Sequence, residues 1–206
     1  MPITKFLSCT DPLDQFESLS YHQTQHAKTY VTGLVAGRNK TVTGIAREVL
    51  PANSERAQQV PRRVRLGRRA TQHERLEELQ KHGETRWSKD GYIILDDTIT
   101  EKAGDSVPGV GRFYDHAEGD TVWGQNIVYA FYADEKTAYP LAFRLYEDED
   151  SKLDLAREII TELEEEVGAR RDTYLFDSWY AHDSGLIKHI EPTRRTGPDR
   201  FVAIDK

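Results

Sequence analysis

Tyr92-Ile93-Ile94-Leu95-Asp96-Asp97-Thr98 is the most informative part of the sequence, because a short apolar run here leads directly into two acidic residues. A second run of the same kind, Tyr174-Leu175-Phe176, leads into Asp177-Ser178-Trp179-Tyr180. Short apolar runs are typical of buried β-strands. A carboxylate just after a buried strand is costly to bury unless it is paired or binds a metal. Two such carboxylates on neighbouring strands would form a cradle for divalent cations, as two-metal phosphoryl transfer requires.

The elements predicted after residue 90 follow the order strand, strand, strand, helix, strand, helix, strand. Their ranges are 91–96, 127–133, 139–145, 151–167, 173–176, 182–190 and 200–204. The Gly- and Pro-rich residues 99–126 are expected to form a long connection. This order is typical of the ribonuclease-H-like fold, a mixed α/β sheet flanked by helices. Because its first and fourth strands lie side by side, we expect Asp96 and Asp177 to meet at one end of the sheet.

Residues 1–90 are expected to form a small helical region for DNA binding or dimerisation, after an irregular lead-in over residues 1–20. Helices are predicted over 21–37, 41–50 and 54–60, and from a capping box at Thr71-Gln72-His73-Glu74 to about Gly83. Five arginines fall within eight residues that contain no acid: Arg62, Arg63, Arg65, Arg68 and Arg69. Such a cluster suits contacts with DNA phosphates. The alternative is a solvated linker between the helical region and the sheet.

Composition places the chain among globular proteins that are neither secreted nor membrane-bound. Its 206 residues are 37% hydrophobic and 31% charged, with a net charge of −7. No apolar run approaches the roughly 20 residues of a membrane span, and the N-terminus lacks the pattern of a secretory leader. The single cysteine, Cys9, excludes an intramolecular disulfide framework. We therefore expect a cytoplasmic protein. The acidic helix over 151–167 is expected to present a solvated outer face.

Asp96 and Asp97 are alternative metal ligands at the end of the first strand. Strand alternation places Asp96 and Thr98 on one face and Asp97 on the other. Asp96 is preferred, because an apolar-Asp-x-Ser/Thr sequence is frequent on the first strand of ribonuclease-H-like folds. At the second motif, Asp177 is either a ligand or the start of a turn. Trp179 and the tyrosine after it are expected in the core or stacked on a DNA strand.

On these motifs the chain resembles the DDE transposases of bacterial and archaeal insertion sequences. The branch it looks like carries Ile/Leu-Asp-Asp-Thr and Asp-Ser-Trp-Tyr, matched here by residues 95–98 and 177–180. The segment from residues 109–114 through residues 124–128 also looks like that branch, as do residues 30–34 with residues 40–42. The resemblance implies a transposase that cuts and transfers DNA strands at transposon ends, close to the prokaryotic nucleoid. It also implies Asp96 and Asp177 as catalytic residues that hold Mg²⁺, with Mn²⁺ as a substitute.

The third acid of that family, a glutamate on a helix after the fifth strand, has no counterpart in this sequence. Phe201-Val202-Ala203-Ile204 looks like the fifth strand itself, so we expect a C-terminally truncated form that is inactive alone. Glu191 is the nearest acid, but it precedes that strand. One alternative is a non-catalytic DNA-binding or regulatory remnant, which acts as a homodimer or with a full-length transposase. Another is a ribonuclease-H-like nuclease that draws its remaining ligands from elsewhere.

Overall fold

The structure is a computed structural model that describes residue 3 and residues 5–49, 68–115, 119–147, 150–166, 173–190 and 201–204. Internal contacts divide the chain into two compact units, Met1–Glu78 and Leu79–Lys206. The predicted helix over 54–60 lies outside the described residues, as do Arg62, Arg63 and Arg65. Within the described ranges, no helix has the length and hydropathy needed to cross a membrane.

The first unit is helical. Its elements are a 3-10 helix (Ser8–Gln15), α1 (Tyr21–Ala36), α2 (Val42–Glu48) and most of α3 (Arg68–Lys81). Helix α1 begins with a capping box between Ser20 and Gln23, which satisfies N–H groups that the first turn of a helix leaves without partners. Gly33 lies inside α1, where glycine is normally unfavourable. A Cβ atom at this position would lie 2.3 Å from Cγ2 of Ile45 on α2. Gly33 therefore permits the close approach of the two helices.

Two expectations for this unit are wrong. Residues 1–20 were expected to be irregular, yet they contain the 3-10 helix. Helix α3 is already formed at Arg68, so Thr71 does not begin it. Glu74 instead accepts hydrogen bonds from Ser18, including its backbone N–H at 2.9 Å. Desolvation opposes the change, but these hydrogen bonds hold the pKa of Glu74 below its usual value. The capping-box prediction was wrong because the Glu74 carboxylate binds Ser18, which is 56 residues away in the sequence.

The second unit contains a six-stranded mixed sheet flanked by helices, which confirms the predicted fold class. Its strands are β1 (Tyr92–Glu101), β2 (Val110–Asp115), β3 (Asp120–Ala133), β4 (Ala138–Leu145), β5 (Thr173–Asp177) and β6 (Phe201–Ile204). The strand order is β2-β3-β1-β5-β6, and β4 also pairs with β3. Strands β1, β5 and β6 run parallel, whereas β2, β3 and β4 join through antiparallel pairs. The first and fourth predicted strands, β1 and β5, are neighbours as expected.

Helices α4 (Lys152–Glu166), α5 (Ser178–Ala181) and α6 (Ser184–Ile190) accompany the sheet. Helix α4 packs against β3, β4 and α6. Its apolar stripe is buried, and it comprises Leu155, Ala156, Ile159, Ile160 and Leu163. The sheet face with the buried residues of β1 and β5, Ile93, Leu95, Tyr174 and Phe176, belongs to the same core. This burial supplies the main stabilisation of the unit.

The acidic helix α4 has the expected exposed acids, Asp154, Glu158 and Glu165, but two of its glutamates are not on a solvated face. Glu162 and Glu164 are buried. The carboxylate of Glu162 accepts a hydrogen bond from the Arg144 guanidinium, and the Tyr174 hydroxyl donates to Glu164 at 3.5 Å. Buried carboxylates of this kind are tolerated because they are paired or hydrogen-bonded.

The long connection predicted over residues 99–126 is also wrong. Strand β1 extends to Glu101, β2 occupies Val110–Asp115, and β3 begins at Asp120. Two of the glycines that predicted turns, Gly111 and Gly124, lie opposite each other inside paired strands, whereas Gly109 and Gly119 lie in turns with positive φ, as predicted. A Cβ atom at Gly124 would lie 2.5 Å from the carbonyl oxygen of Thr100. Glycine is therefore present for close backbone approach, a second use that its turn propensity hides.

Candidate active site

Asp96 and Asp177 lie at corresponding positions on adjacent parallel strands. In the β1–β5 register, Ile94 is opposite Leu175 and Leu95 is opposite Phe176. The next residue on β1 is Asp96, and the next residue on β5, the last of that strand, is Asp177. Neighbouring strands are about 4.8 Å apart, and residues opposite each other in a parallel pair share a face. The two carboxylates thus emerge on the same side of the sheet, on the face opposite to Leu95.

Asp177 is the N-cap residue of α5. Its Oδ1 atom accepts the backbone N–H of Trp179 at 2.9 Å and that of Tyr180 at 3.3 Å. A capping carboxylate is stabilised by these N–H groups and by the positive end of the helix. The sequence offered a ligand and a turn as alternatives, and the structure makes Asp177 a helix cap. Because these hydrogen bonds fix the position of Oδ1, they also fix the direction in which Oδ2 of Asp177 points.

Asp96 is held by a neighbouring backbone group and by a tyrosine on β3. Its Oδ1 atom accepts the backbone N–H of Asp97 at 2.9 Å, and the Tyr129 hydroxyl lies 3.5 Å from its Oδ2 atom. Asp96 and Tyr129 are register partners in the antiparallel β1–β3 pair. The ring of Tyr129 also meets that of Phe131 edge to face, with centroids 5.3 Å apart. The aromatic residues of β3 therefore support the Asp96 side of the sheet.

Asp97 points to the opposite face, where a lysine and a tyrosine hold it. Its Oδ2 atom lies 2.5 Å from Nζ of Lys152, the first residue of α4. Its Oδ1 atom accepts the Tyr180 hydroxyl at 3.1 Å. The Lys152 ammonium also lies 6.0 Å from the centroid of the Trp179 ring. Asp97 is thus neutralised on the α4 face, away from Asp96 and Asp177.

Tyr180 is buried against this group, with 1% of its surface exposed. Burial raises the pKa of its hydroxyl, and the negative charges of Asp97, Asp96 and Asp177 raise it further. The hydroxyl therefore keeps its proton at any physiological pH and acts as a hydrogen-bond donor to Asp97. Trp179, by contrast, is 53% exposed. Of the two aromatic residues that were predicted as either core or stacking groups, Tyr180 lies in the core and Trp179 lies at the surface.

Lys152 and the hydroxyl role of Tyr180 were missed by the sequence analysis. Lys152 belongs to an acidic segment and follows Asp97 by 55 residues. Its side chain is only 26% exposed, and no local pattern indicates this. Tyr180 was recognised as part of the second motif, but a strand-end aromatic residue gives no signal of the acceptor that its hydroxyl reaches. Both contacts depend on how α4 and α5 pack on the sheet.

Asp96 and Asp177 suit a hard divalent cation in chemistry and placement. Carboxylate oxygens are the ligands that Mg²⁺ prefers, and both residues come from adjacent inner strands of the sheet. Asp97 does not suit this role, because Lys152 neutralises it on the other face. Among the described residues, no group of three or more His, Cys, Asp or Glu side chains is placed to hold a metal ion. Glu191 lies outside those residues, and so do the side chains of Arg68 and Arg69, whose backbone forms the start of α3.

Comparison with known families adds independent information on the chain. The family model described as DDE superfamily endonuclease matches residues 14–193. The match includes both aspartate motifs and most of the first unit. No curated protein and no solved structure matches the chain.

Proposed function

The chain belongs to the DDE superfamily of endonucleases, and from that premise we propose that it is a transposase whose metal ligands are Asp96 and Asp177. DNA is the substrate that an endonuclease of this superfamily implies. The observation that carries the proposal is the parallel β1–β5 register, in which the two aspartates follow Leu95 and Phe176. The finer assignment to DNA cleavage and strand transfer at transposon ends is supported by the motifs at residues 95–98 and 177–180.

The protein's own groups would orient the two carboxylates. Backbone N–H groups hold one oxygen of Asp96 and one of Asp177. When bound, Mg²⁺ or Mn²⁺ would supply positive charge at the attacking and leaving oxygens of a transferred phosphoryl group. Asp97 forms an ion pair with Lys152 on the α4 face of the sheet. Asp97 is therefore not proposed as a metal ligand.

The test is Mn²⁺ binding to the full chain, measured from the electron paramagnetic resonance signal of free Mn²⁺. We expect Asp96→Asn and Asp177→Asn each to weaken binding by at least about tenfold, because magnesium-type sites rely on few carboxylates. Asn is as good an N-cap as Asp, so Asp177→Asn should leave α5 intact. Asp90→Asn, at an exposed position before β1, is the matched control. Wild-type affinity in both site variants would refute the assignment.

A non-catalytic role for this chain alone is the second candidate. The observation that favours it is the lack of a third acidic side chain beside Asp96 and Asp177 among the described residues. Loss of one of three carboxylates leaves the second metal ion poorly held, so we expect no nicking of transposon ends in Mg²⁺ or Mn²⁺ by the 206-residue chain. Cleavage that disappears in Glu191→Gln would overturn this expectation and identify Glu191 as the third ligand.

We further propose that residues 1–90 bind DNA or dimerise and that the arginine cluster contacts DNA phosphates. The cluster, Arg62, Arg63, Arg65, Arg68 and Arg69, contains no acid, whereas residues 147–166 contain ten. Each phosphate neutralised adds about −0.9 to the slope of log affinity against log salt. Replacing Arg62, Arg63 and Arg65 by Ala should therefore flatten the slope by roughly two to three units. An unchanged slope would assign the cluster to a linker.

A further inference from the structure

Four residues of β1, β5 and α5 form a continuous chain of contacts that runs from Asp96 to Asp177. The backbone N–H of Asp97 donates to Asp96, and the backbone N–H of Tyr180 donates to Asp177. The side chains of these two donors are joined to each other, because the Tyr180 hydroxyl donates to Asp97 at 3.1 Å. One side-chain hydrogen bond on the α4 face thus connects the residues that hold both carboxylates on the other face.

We propose that this Asp97–Tyr180 hydrogen bond is a clamp that sets the orientation of Asp96 relative to Asp177. Tyr180 is then a positioning residue, and it acts through Asp97 and through its own backbone N–H. The inference rests on the proposed function, in which Asp96 and Asp177 hold the metal. Outer contacts of this kind are known to control the affinity of metal sites.

The short length of α5 explains why a clamp is needed. The helix contains only four residues, Ser178–Ala181, and a helix this short has little stability of its own. Its position therefore depends on contacts with the sheet. Tyr180 is its buried residue, and the hydroxyl of Tyr180 is the polar group that reaches β1. Loss of that hydroxyl would remove this polar contact between β1 and the turn that orients Asp177.

Lys152 holds the other end of the clamp. Its ammonium group contacts Oδ2 of Asp97, while the Tyr180 hydroxyl contacts Oδ1. Both carboxylate oxygens are therefore engaged, and the side chain of Asp97 has one preferred orientation. The acceptor of the Tyr180 hydroxyl is thus one member of an ion pair, and hydrogen bonds to ionised acceptors are shorter and stronger than those to neutral ones.

The decisive variant is Tyr180→Phe, with Tyr174→Phe as its matched control. Tyr174 is equally buried, and its hydroxyl also donates to a carboxylate, that of Glu164, but it is remote from Asp96. Both variants lose a buried tyrosine hydroxyl and keep the ring. We expect Tyr180→Phe to weaken Mn²⁺ binding on the order of tenfold and Tyr174→Phe to leave it unchanged. Equal Mn²⁺ affinities in the two variants would overturn the clamp.

A double-mutant cycle with Asp97→Ala separates this role from a general loss of packing. If Tyr180 acts through Asp97, Tyr180→Phe should change Mn²⁺ affinity little once Asp97 is already Ala. A full effect in that background would refute the clamp. Asp96→Asn and Asp177→Asn distinguish the two proposals. If they leave Mn²⁺ binding intact, the proposed site fails. If they abolish binding while Tyr180→Phe has no effect, only the clamp fails. Thermal unfolding of each variant in a chelator confirms that it is folded.

Discussion

The two faces of strand β1 hold their acidic residues in different ways. On the α4 face, Asp97 meets an ammonium group at 2.5 Å and a buried tyrosine hydroxyl at 3.1 Å. On the other face, Asp96 receives the N–H of Asp97, one position after the register pair of Leu95 and Phe176, which Asp177 follows on β5. Asp97 is paired with a cation within the fold, whereas Asp96 is the residue that we propose as a metal ligand together with Asp177. The difference separates an acid held by an ion pair from an acid proposed to bind a metal.

This difference arises from a single step along the strand. Successive side chains on a strand point to opposite faces, so neighbouring aspartates meet separate environments. Two carboxylates on one face repel each other unless a cation is present. Such repulsion destabilises the metal-free protein, and a bound Mg²⁺ ion would relieve it. The following variants test whether the two faces are as distinct as this comparison requires.

The largest loss of stability is expected from Asp97→Ala. It leaves the Lys152 ammonium without its carboxylate and the Tyr180 hydroxyl buried without its acceptor. Breaking a buried pair and leaving a hydroxyl unsatisfied should together cost about 2–3 kcal/mol, after allowance for partial exposure of the ion pair. The melting temperature should fall by about 5–10 °C. Asp90→Ala, at an exposed position, serves as the control. Equal melting temperatures for the two variants would show that the contacts of Asp97 with Lys152 and Tyr180 do not stabilise the protein.

The sequence predicts the Asp96 face well and the Asp97 face poorly. Apolar runs before Asp96 and Asp177, together with the order of elements, are sufficient to place their strands side by side. The Lys152–Asp97 pair depends instead on the packing of α4 on the sheet. Gly124 gave a wrong prediction for another reason, because it predicted a turn where close backbone approach requires glycine inside a strand. Local patterns predict elements, whereas contacts between distant elements need the fold.

A smaller effect is expected for Lys152→Met, which removes the cation but leaves Asp97 its hydrogen bond from Tyr180. The methionine chain retains most of the aliphatic volume beside the Trp179 ring. The pair is about a quarter exposed, so solvent screening limits the loss of unfolding free energy to about 1–2 kcal/mol. Chemical denaturation measures it. Lys188→Met, at an exposed position of α6, should change stability by less than about 0.5 kcal/mol. Equal losses at the two lysines would mean that Asp97 does not need its partner.

Asp183 lies immediately before α6, which packs against α4. It accepts the N–H of Leu186 at 2.7 Å and the guanidinium of Arg157 at 2.9 Å, and so connects α6 to α4. The Leu186 N–H, followed by Arg157, holds the pKa of Asp183 below its usual value. Asp183→Ala should cost about 1 kcal/mol at neutral pH.

The pH dependence of that loss follows from the direction of the pKa shift. A depressed pKa in the folded state stabilises the protein above the pKa of the unfolded state, which is about 3.9 for Asp. The gap between wild type and Asp183→Ala should therefore be constant above about pH 5 and close as the pH falls through the folded-state pKa. Asp183→Asn can still accept the hydrogen bond from the Leu186 N–H in the first turn of α6. This variant should therefore lose only the stabilisation that comes from the negative charge. A gap that stays constant down to pH 2 would show that Asp183 acts without its charge.

The smallest effect on the free protein is expected on the Asp96 face, although its effect on metal binding is large. Asp96→Asn and Asp177→Asn each remove one of two like charges on adjacent strands, and Asn preserves the cap of α5. In a chelator, the unfolding free energy should stay within about 0.5 kcal/mol of wild type or rise slightly. Added Mn²⁺ should stabilise the wild type by RT ln(1 + [Mn²⁺]/Kd), which reaches about 2.7 kcal/mol at a hundred times Kd. The variants should show little of this gain at the same concentration. Destabilisation of the metal-free variants as large as that of Asp97→Ala would make Asp96 and Asp177 structural acids, and the two faces of β1 would no longer differ.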